Sequence, residues 1–243
     1  MRFDVLTLFP EMFNAVITES ITGRAIKAGI IECNFINIRD YTKDKHKRCD
    51  DYPYSGGGGM LMTPQPIYDA YMSVVSKLDY KPLTIYMSPQ GKVFNQQVAI
   101  DLSKYKHIII LCGHYEGVDQ RVLDEIVDME ISIGDFVMTG GEIAAMAVID
   151  ATSRMIDNVL SGEKAYTEES HYNGLLEFPQ YTRPPEFMGK TVPEVLLSGN
   201  HKLIEEWKRE QSLINTLKKR PDLLEKALLS PKEKEFIKNL NVN

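Results

Sequence analysis

The sequence predicts an α/β domain built on a mainly parallel sheet, followed by a small all-α C-terminal region. Three observations carry that prediction. Short apolar runs of strand length alternate with helical patterns through the first two-thirds of the chain. Glycines gather at the ends of those strand runs. Beyond residue 192 helix start signals take over.

The elements follow in order. Residues 2–8 read as a strand, which Pro10 and Glu11 end, and helices are expected over 11–18 and 23–28. A strand over 31–38 comes next, then a helix over 65–78, a strand over 83–87 and a helix over 96–102. Residues 107–112 hold the longest aliphatic run, the length of a buried strand. Helix 118–124, strand 126–131 and helix 142–156 complete the pattern. Residues 159–185 break it with Gly, Ser, Asn, Pro and charge. The helices expected over 193–197, 201–218, 221–229 and 231–239 each carry a first-turn proline or Asn200 as an N-cap. The implied division is an α/β domain at 1–160, a flexible linker at 161–180 and a helical domain at 181–243.

Composition narrows the function classes. With 243 residues, 43% hydrophobic and 26% charged, the chain can bury a substantial core and lies far from disordered composition. No apolar run approaches a membrane span, and residues 2–9 are too short and too interrupted for a signal peptide. Cys33, Cys49 and Cys112 form no C-x-x-C pair, which disfavours a disulfide framework or a thiolate zinc site. A soluble, cytoplasmic protein without membrane attachment is therefore expected. The formal net charge is -6, so a polyanionic partner needs a local basic patch. Residues 1–160 carry 15 Lys and Arg against 21 Asp and Glu, whereas residues 161–243 carry 13 of each.

Three consecutive strand ends carry glycine blocks: Ser88-Pro89-Gln90-Gly91, Gly113-His114-Tyr115-Glu116-Gly117, and Ile133-Gly134-Asp135 through Gly140-Gly141. In open α/β sheets ligands sit beyond the carboxyl ends of strands, where glycine lets the backbone come close. One such block is explained by a turn alone; three in succession favour a ligand site. No G-x-G-x-x-G, Walker loop, G-x-S-x-G elbow or H-E-x-x-H helix is present, which disfavours dinucleotide, Walker-type, serine-hydrolase and zinc-hydrolase chemistry.

Residues 39–48 combine Arg39, Lys43, Lys45, Lys47 and Arg48 with only Asp40 and Asp44, and interleave Tyr41 and His46. Ser55-Gly56-Gly57-Gly58-Gly59-Met60 follows closely. A flexible basic loop with an aromatic suits a phosphate backbone or an unstacked base. It is equally compatible with a solvated surface loop, and the glycine run with a mobile hinge. Glu168-Glu169-Ser170 places carboxylates in the linker, either solvated or brought to a site.

These segments, in this order, resemble the bacterial tRNA (guanine-N1)-methyltransferases of the SPOUT group. The resemblance runs from Leu8-Phe9-Pro10-Glu11-Met12-Phe13 to the last helices. Its most specific blocks include Ser88-Pro89-Gln90-Gly91, Cys112-Gly113-His114-Tyr115-Glu116-Gly117, Thr139-Gly140-Gly141-Glu142, Tyr181-Thr182-Arg183-Pro184 and Leu196-Leu197-Ser198-Gly199-Asn200-His201. The resemblance implies a SPOUT-type domain with a C-terminal trefoil knot, an exception to the rule of unknotted chains. It also implies S-adenosylmethionine as methyl donor and tRNA as substrate, methylated at the guanine just 3′ of the anticodon. An antiparallel homodimer with sites shared between subunits follows from it, as does a magnesium requirement for which no ligands are assigned.

By the same resemblance, Tyr86, Met87, Ser88, Pro89, Gly113, Tyr115, Glu116, Gly117, Ile133, Gly134, Phe136, Met138, Gly140 and Gly141 enclose the donor. Arg39, His46, Asp50, Gly57, Gly59, Ser170, Arg183, Ser198 and His201 contact the tRNA. Arg154 stabilises the guanine oxygen, and position 169 supplies the base. Here the chain departs from the family pattern: the usual Asp-Ser-Phe reads Glu169-Ser170-His171. Glutamate reaches about 1.5 Å further, so the linker must compensate or Glu168 must share the task. Phe136 stands where tyrosine is common and Ala144 where proline is common. The alternatives are a related knotted methyltransferase acting on another RNA, and a non-catalytic RNA-binding module.

Overall fold

The computed structural model describes residues 1–56, 58–162 and 164–240. The chain divides into two compact units, Met1–Gly162 and Glu163–Asn243. The first contains, in order, β1 (Arg2–Thr7), α1 (Glu11–Ile17), α2 (Ser20–Lys27), β2 (Glu32–Asn37), a 3-10 turn (Ile38–Tyr41), β3 (Asp50–Asp51) and β4 (Leu61–Met62). It continues with α3 (Pro64–Val75), β5 (Leu83–Val93), α4 (Gln96–Leu102), β6 (His107–Cys112), α5 (Gln120–Ile126), β7 (Met129–Ser132) and α6 (Glu142–Ser153).

Strands β2-β1-β6-β5-β7 form one parallel sheet in that order. Parallel sheets need cover on both faces, and this one has it. Ile108, Ile110 and Cys112 of β6 point to one side, where they join Phe13 and Ile17 of α1, Val98 of α4 and Val148 of α6. Ile109 and Leu111 point to the other, with Ile67 and Val74 of α3 and Val122 of α5. Every residue of β6 is buried, and a fully buried aliphatic side chain contributes about 1.5–3 kcal/mol. At the amino end of the sheet the buried Asp4 carboxylate accepts hydrogen bonds from Arg2 and Asn34 and lies 2.8 Å from His107 Nε2. Partners on several sides are what make a buried charge tolerable.

Two differences from the expected elements have local causes. Helix α5 starts at Gln120, two residues late, because Asp119 Oδ1 accepts from the Arg121 N–H at 3.0 Å and caps it. Its last turn takes in Ile126, so β7 starts at Met129 instead. Strand β5 does not stop at Met87. Met87 and Lys92 both pair with Ile131, so residues 88–91 loop out and the chain returns to the same partner. Gly91 permits that return, since a Cβ there would collide with the backbone of Glu130 and Ile131.

The second unit contains α7 (Lys164–Thr167), β8 (Glu186–Phe187), β9 (Lys190–Thr191), α8 (Glu194–Leu197), α9 (His201–Lys219), α10 (Pro221–Leu224) and α11 (Pro231–Leu240). The antiparallel ribbon of β8 and β9 was not expected in a tail read as all helix. Helix α9 is its spine, capped by Asn200 and burying Leu213 and Thr216. Within residues 161–180, Leu175 is buried, Thr216 Oγ1 accepts from the Leu176 N–H at 2.9 Å, and Asn215 Nδ2 donates to the Glu177 carbonyl at 2.9 Å. Among the described residues no helix is long and apolar enough to cross a membrane.

Helix α11 is fastened by a reciprocal cap. The Glu233 N–H donates to Ser230 Oγ at 3.3 Å, and Glu233 Oε2 accepts from the Ser230 N–H at 2.7 Å. Arg209 of α9 donates to the other carboxylate oxygen at 2.6 Å. Burial pushes the Glu233 carboxyl up, but Arg209 and Ser230 outweigh it and hold it at about 2. A depressed folded value stabilises fully above the ordinary glutamate value of 4.5 and stops doing so as pH falls toward about 2. Amide exchange in α11 should therefore lose protection across that window. Glu233→Gln should cut α11 protection about tenfold at pH 6 and flatten its response to acid.

Candidate functional site

The carboxyl ends of β5, β6 and β7 converge on a cavity of about 280 Å³. That lies just below the about 300–1,000 Å³ range of ligand pockets. Main-chain bonds draw the second and third glycine-bearing segments together. The Gly141 N–H donates to the Gly113 carbonyl at 2.9 Å, and His114 forms a β-bridge with Gly140. Every donor-binding residue expected from the sequence lines this cavity except Gly134. Gly134 shapes the loop from behind: its φ is +150°, and its carbonyl accepts from the Ser132 hydroxyl and the Phe136 N–H, each at 2.9 Å.

The lining mixes polar and apolar surface, with main-chain groups at the glycines. A Cβ at Gly113 would lie 2.7 Å from Tyr86 Oη, so the tyrosine ring occupies the space a side chain would need. Burial, and then Glu130 and Cys112, push the Tyr86 phenol up to about 12, so it stays neutral even in alkaline solution. His114, Thr139 and Ala144 also face the cavity and were not among the expected contacts. His114 Nδ1 is buried with no hydrogen-bond partner among the described residues. Close behind Gly140 lies Glu142, 2% exposed, accepting from the Thr7 hydroxyl at 2.8 Å. The Gly-His-Tyr-Glu-Gly and Thr-Gly-Gly-Glu strings were the signals that held both residues.

The basic loop reaches the rim of this cavity through a relay of backbone bonds. Asp50 pairs with Met62 across the β3–β4 ribbon. Met62 donates to the Gly117 carbonyl at 2.9 Å and accepts from the Asp119 N–H at 3.0 Å. A Cβ on Gly59 would lie 2.5 Å from Glu116 Oε1, which places the glycine run against a cavity residue. Gly57 lies outside the described residues. Arg39 sits half-buried in the 3-10 turn, and His46 is exposed, its N–H donating to Asp44 Oδ1 at 2.7 Å. Much of the loop's charge is already matched: Lys43 pairs with Asp69 at 3.6 Å, Lys47 with Asp40 at 3.3 Å and Arg48 with Asp44 at 2.9 Å.

The remaining expected residues divide between the units. Arg154 is half-buried at the carboxyl cap of α6 in the first unit, its N–H donating to the Asp150 carbonyl. Glu169 lies in the second unit, in the turn after α7, with its N–H on the Tyr166 carbonyl. Ser170 Oγ accepts from the Glu177 N–H at 2.9 Å. Arg183 is exposed ahead of β8. Ser198 caps α8, donating to Val195 and accepting from the Asn200 N–H, and His201 opens α9. Among the described residues no group of three or more His, Cys, Asp or Glu side chains is arranged to hold a metal ion.

Comparison with known proteins matches this arrangement to one family. The family described as tRNA (Guanine-1)-methyltransferase TrmD matches residues 1–226. A tRNA (guanine-N(1)-)-methyltransferase of Ruminiclostridium cellulolyticum is 60% identical over 226 residues, covering 93% of this chain and 97% of that protein. That of Caldanaerobacter subterraneus subsp. tengcongensis is 57% identical over 238 residues, covering 98% of both. That of an Exiguobacterium species is 54% identical over 240 residues, covering 99% of both. The chain belongs to the TrmD family of tRNA (guanine-1)-methyltransferases.

Proposed function

We propose that this chain transfers a methyl group from S-adenosylmethionine to N1 of the guanine immediately 3′ of the anticodon, position 37, in tRNA. The cavity at the ends of β5, β6 and β7 is the donor site in this reading, and the family match over residues 1–226 carries it. Its residues suit a nucleoside with a charged tail: an orphaned His114 Nδ1, a phenol held neutral, and glycine backbone left open for close approach. The three converging segments form the trefoil knot of the SPOUT fold. The Gly113–Gly141 bond and the return of β5 to Ile131 support that assignment. Residues 1–160 are the methyltransferase domain, 161–180 the linker and 181–243 the tRNA-binding domain. The enzyme works in the cytoplasm as an antiparallel homodimer whose partner completes each site.

The bound donor supplies an activated methyl on sulfonium sulfur, so the protein's task is alignment and proton removal. Tyr86, Met87, Ser88, Gly113, Ile133, Met138 and Gly140 hold the adenine and ribose. The proton on guanine N1 is weakly acidic, and a carboxylate alone is poorly matched to it. Arg154, placed on the guanine oxygen, stabilises the anion that forms and brings the proton within reach of Glu169. Arg39, His46, Asp50, Gly59, Ser170, Arg183, Ser198 and His201 orient the RNA. The described residues offer no cluster suited to magnesium, and no step is assigned to it.

Labelled methyl should pass from the donor to a tRNA with guanine at position 37 and at the third anticodon base, and adenosine at 37 should abolish transfer. A protein that binds donor but leaves the intact tRNA unmethylated would overturn the assignment. Glu169→Gln should lower kcat at least about a hundredfold, with donor affinity by calorimetry within a few-fold. Arg154→Ala should likewise cost turnover more than donor affinity. Gly113→Ala, which forces a methyl against Tyr86, should weaken donor binding about tenfold or more while the fold stays intact by circular dichroism.

A further inference from the structure

The residue before Glu169 and the residue after it are both fastened. Glu168 Oε2 lies 3.2 Å from Lys208 Nζ of α9, and Ser170 Oγ accepts from the Glu177 N–H at 2.9 Å. Glu177 is in turn tied to α9, because Asn215 donates to its carbonyl. Lys208 itself is aimed by its own helix: its ammonium lies 2.9 Å from Glu205 Oε1, one turn back, and 5.0 Å from the Phe178 ring centroid. Carboxylates on two sides and an aromatic face on a third use the donor directions of one ammonium. Burial opposes the charge, but the Glu205 and Glu168 hydrogen bonds outweigh it and hold the ammonium more firmly protonated.

We propose that Lys208 is a positioning residue for the reaction, acting through Glu168 to set where the turn at residues 168–170 presents the Glu169 carboxylate. The proposal rests on the reading of Glu169 as base. It makes Glu168 an anchor and not a second base. It also answers the extra methylene at position 169, since the longer side chain requires a turn whose backbone cannot drift. A surface ion pair contributes only about 0–1 kcal/mol to stability. A displacement of about 1 Å at a reacting group, by contrast, can cost about a hundredfold in rate. The consequence of losing Lys208 therefore falls on turnover far more than on folding.

The experiment is a steady-state series on the full-length protein with tRNA and S-adenosylmethionine. Lys208→Met should lower kcat about tenfold or more, with tRNA KM and donor affinity within about twofold and the melting temperature little changed. Lys208→Arg should recover most of that loss, and Glu168→Gln should match Lys208→Met. The double variant should be no slower than either single one, as expected when two residues act as one unit. Lys202→Met breaks the Lys202–Glu206 pair on the same helix and should turn over at the wild-type rate. The proposal is overturned by unchanged kcat in Lys208→Met, or by losses that multiply in the double variant. A raised tRNA KM with unchanged kcat overturns it too, and makes Lys208 a phosphate contact. Wild-type turnover in Glu169→Gln overturns the base assignment instead, and is read independently of Lys208.

Discussion

Strand β6 has no solvent on either face, and that constraint decides where chemistry can occur in the first unit. A strand enclosed by β1 and β5, with helices above and below, presents polar groups only where it ends. Its carboxyl end is Cys112, and the residues that follow bond outward in two directions. Gly113 accepts from Gly141, while Glu116 and Gly117 bond the backbone at Met60 and Met62. The cavity is thus the place where one buried strand delivers its chain to two neighbouring loops. The basic segment at residues 39–48 depends on the same constraint, because the ribbon that follows it is bonded to the rim at Met60 and Met62. Main-chain hydrogen bonds join the loops at this end of the sheet.

The sequence made the sheet-forming segments legible because burial on both faces leaves continuous apolar runs; β6 and α4 end where the pattern says they should. Strand order was not readable, since β2-β1-β6-β5-β7 is set by contacts across the whole unit. Ribbons of two residues per strand, β3 with β4 and β8 with β9, are too short to show any period. The Asp119 cap and the Ser230–Glu233 reciprocal cap were visible as residue types, yet an apolar valine and a proline beside them gave competing start signals. At the site, glycine blocks pointed to the cavity because close backbone approach demands glycine. They could not separate Gly134, which supports the loop, from its neighbours that face the cavity.

Charge is the property that the sequence misrepresented. Residues 39–48 read as a basic patch, but Asp69, from outside the segment, faces Lys43, so the local field is weaker than the segment's own count suggests. An acidic chain with paired cations must exchange protein partners for phosphates when RNA arrives. The net release of counterions is correspondingly smaller, and so is the sensitivity to salt. Specificity in such a protein has to come from shape and placement, the same currency in which the second unit anchors its carboxylates on α9.

Cys112 offers a last consequence. It sits one residue before the cavity-lining Gly113, fully buried, and burial together with Glu142 pushes its thiol well above the ordinary range. Thiolates, not thiols, attack electrophilic carbon. In the proposed reading this cavity holds a sulfonium donor, an alkylating agent, one residue along the chain from a buried sulfur. On that reading, a Cys112 kept protonated and buried leaves the strand end inert toward the donor. If the proposed site is right, the fold shields its own thiol from the methyl group it delivers.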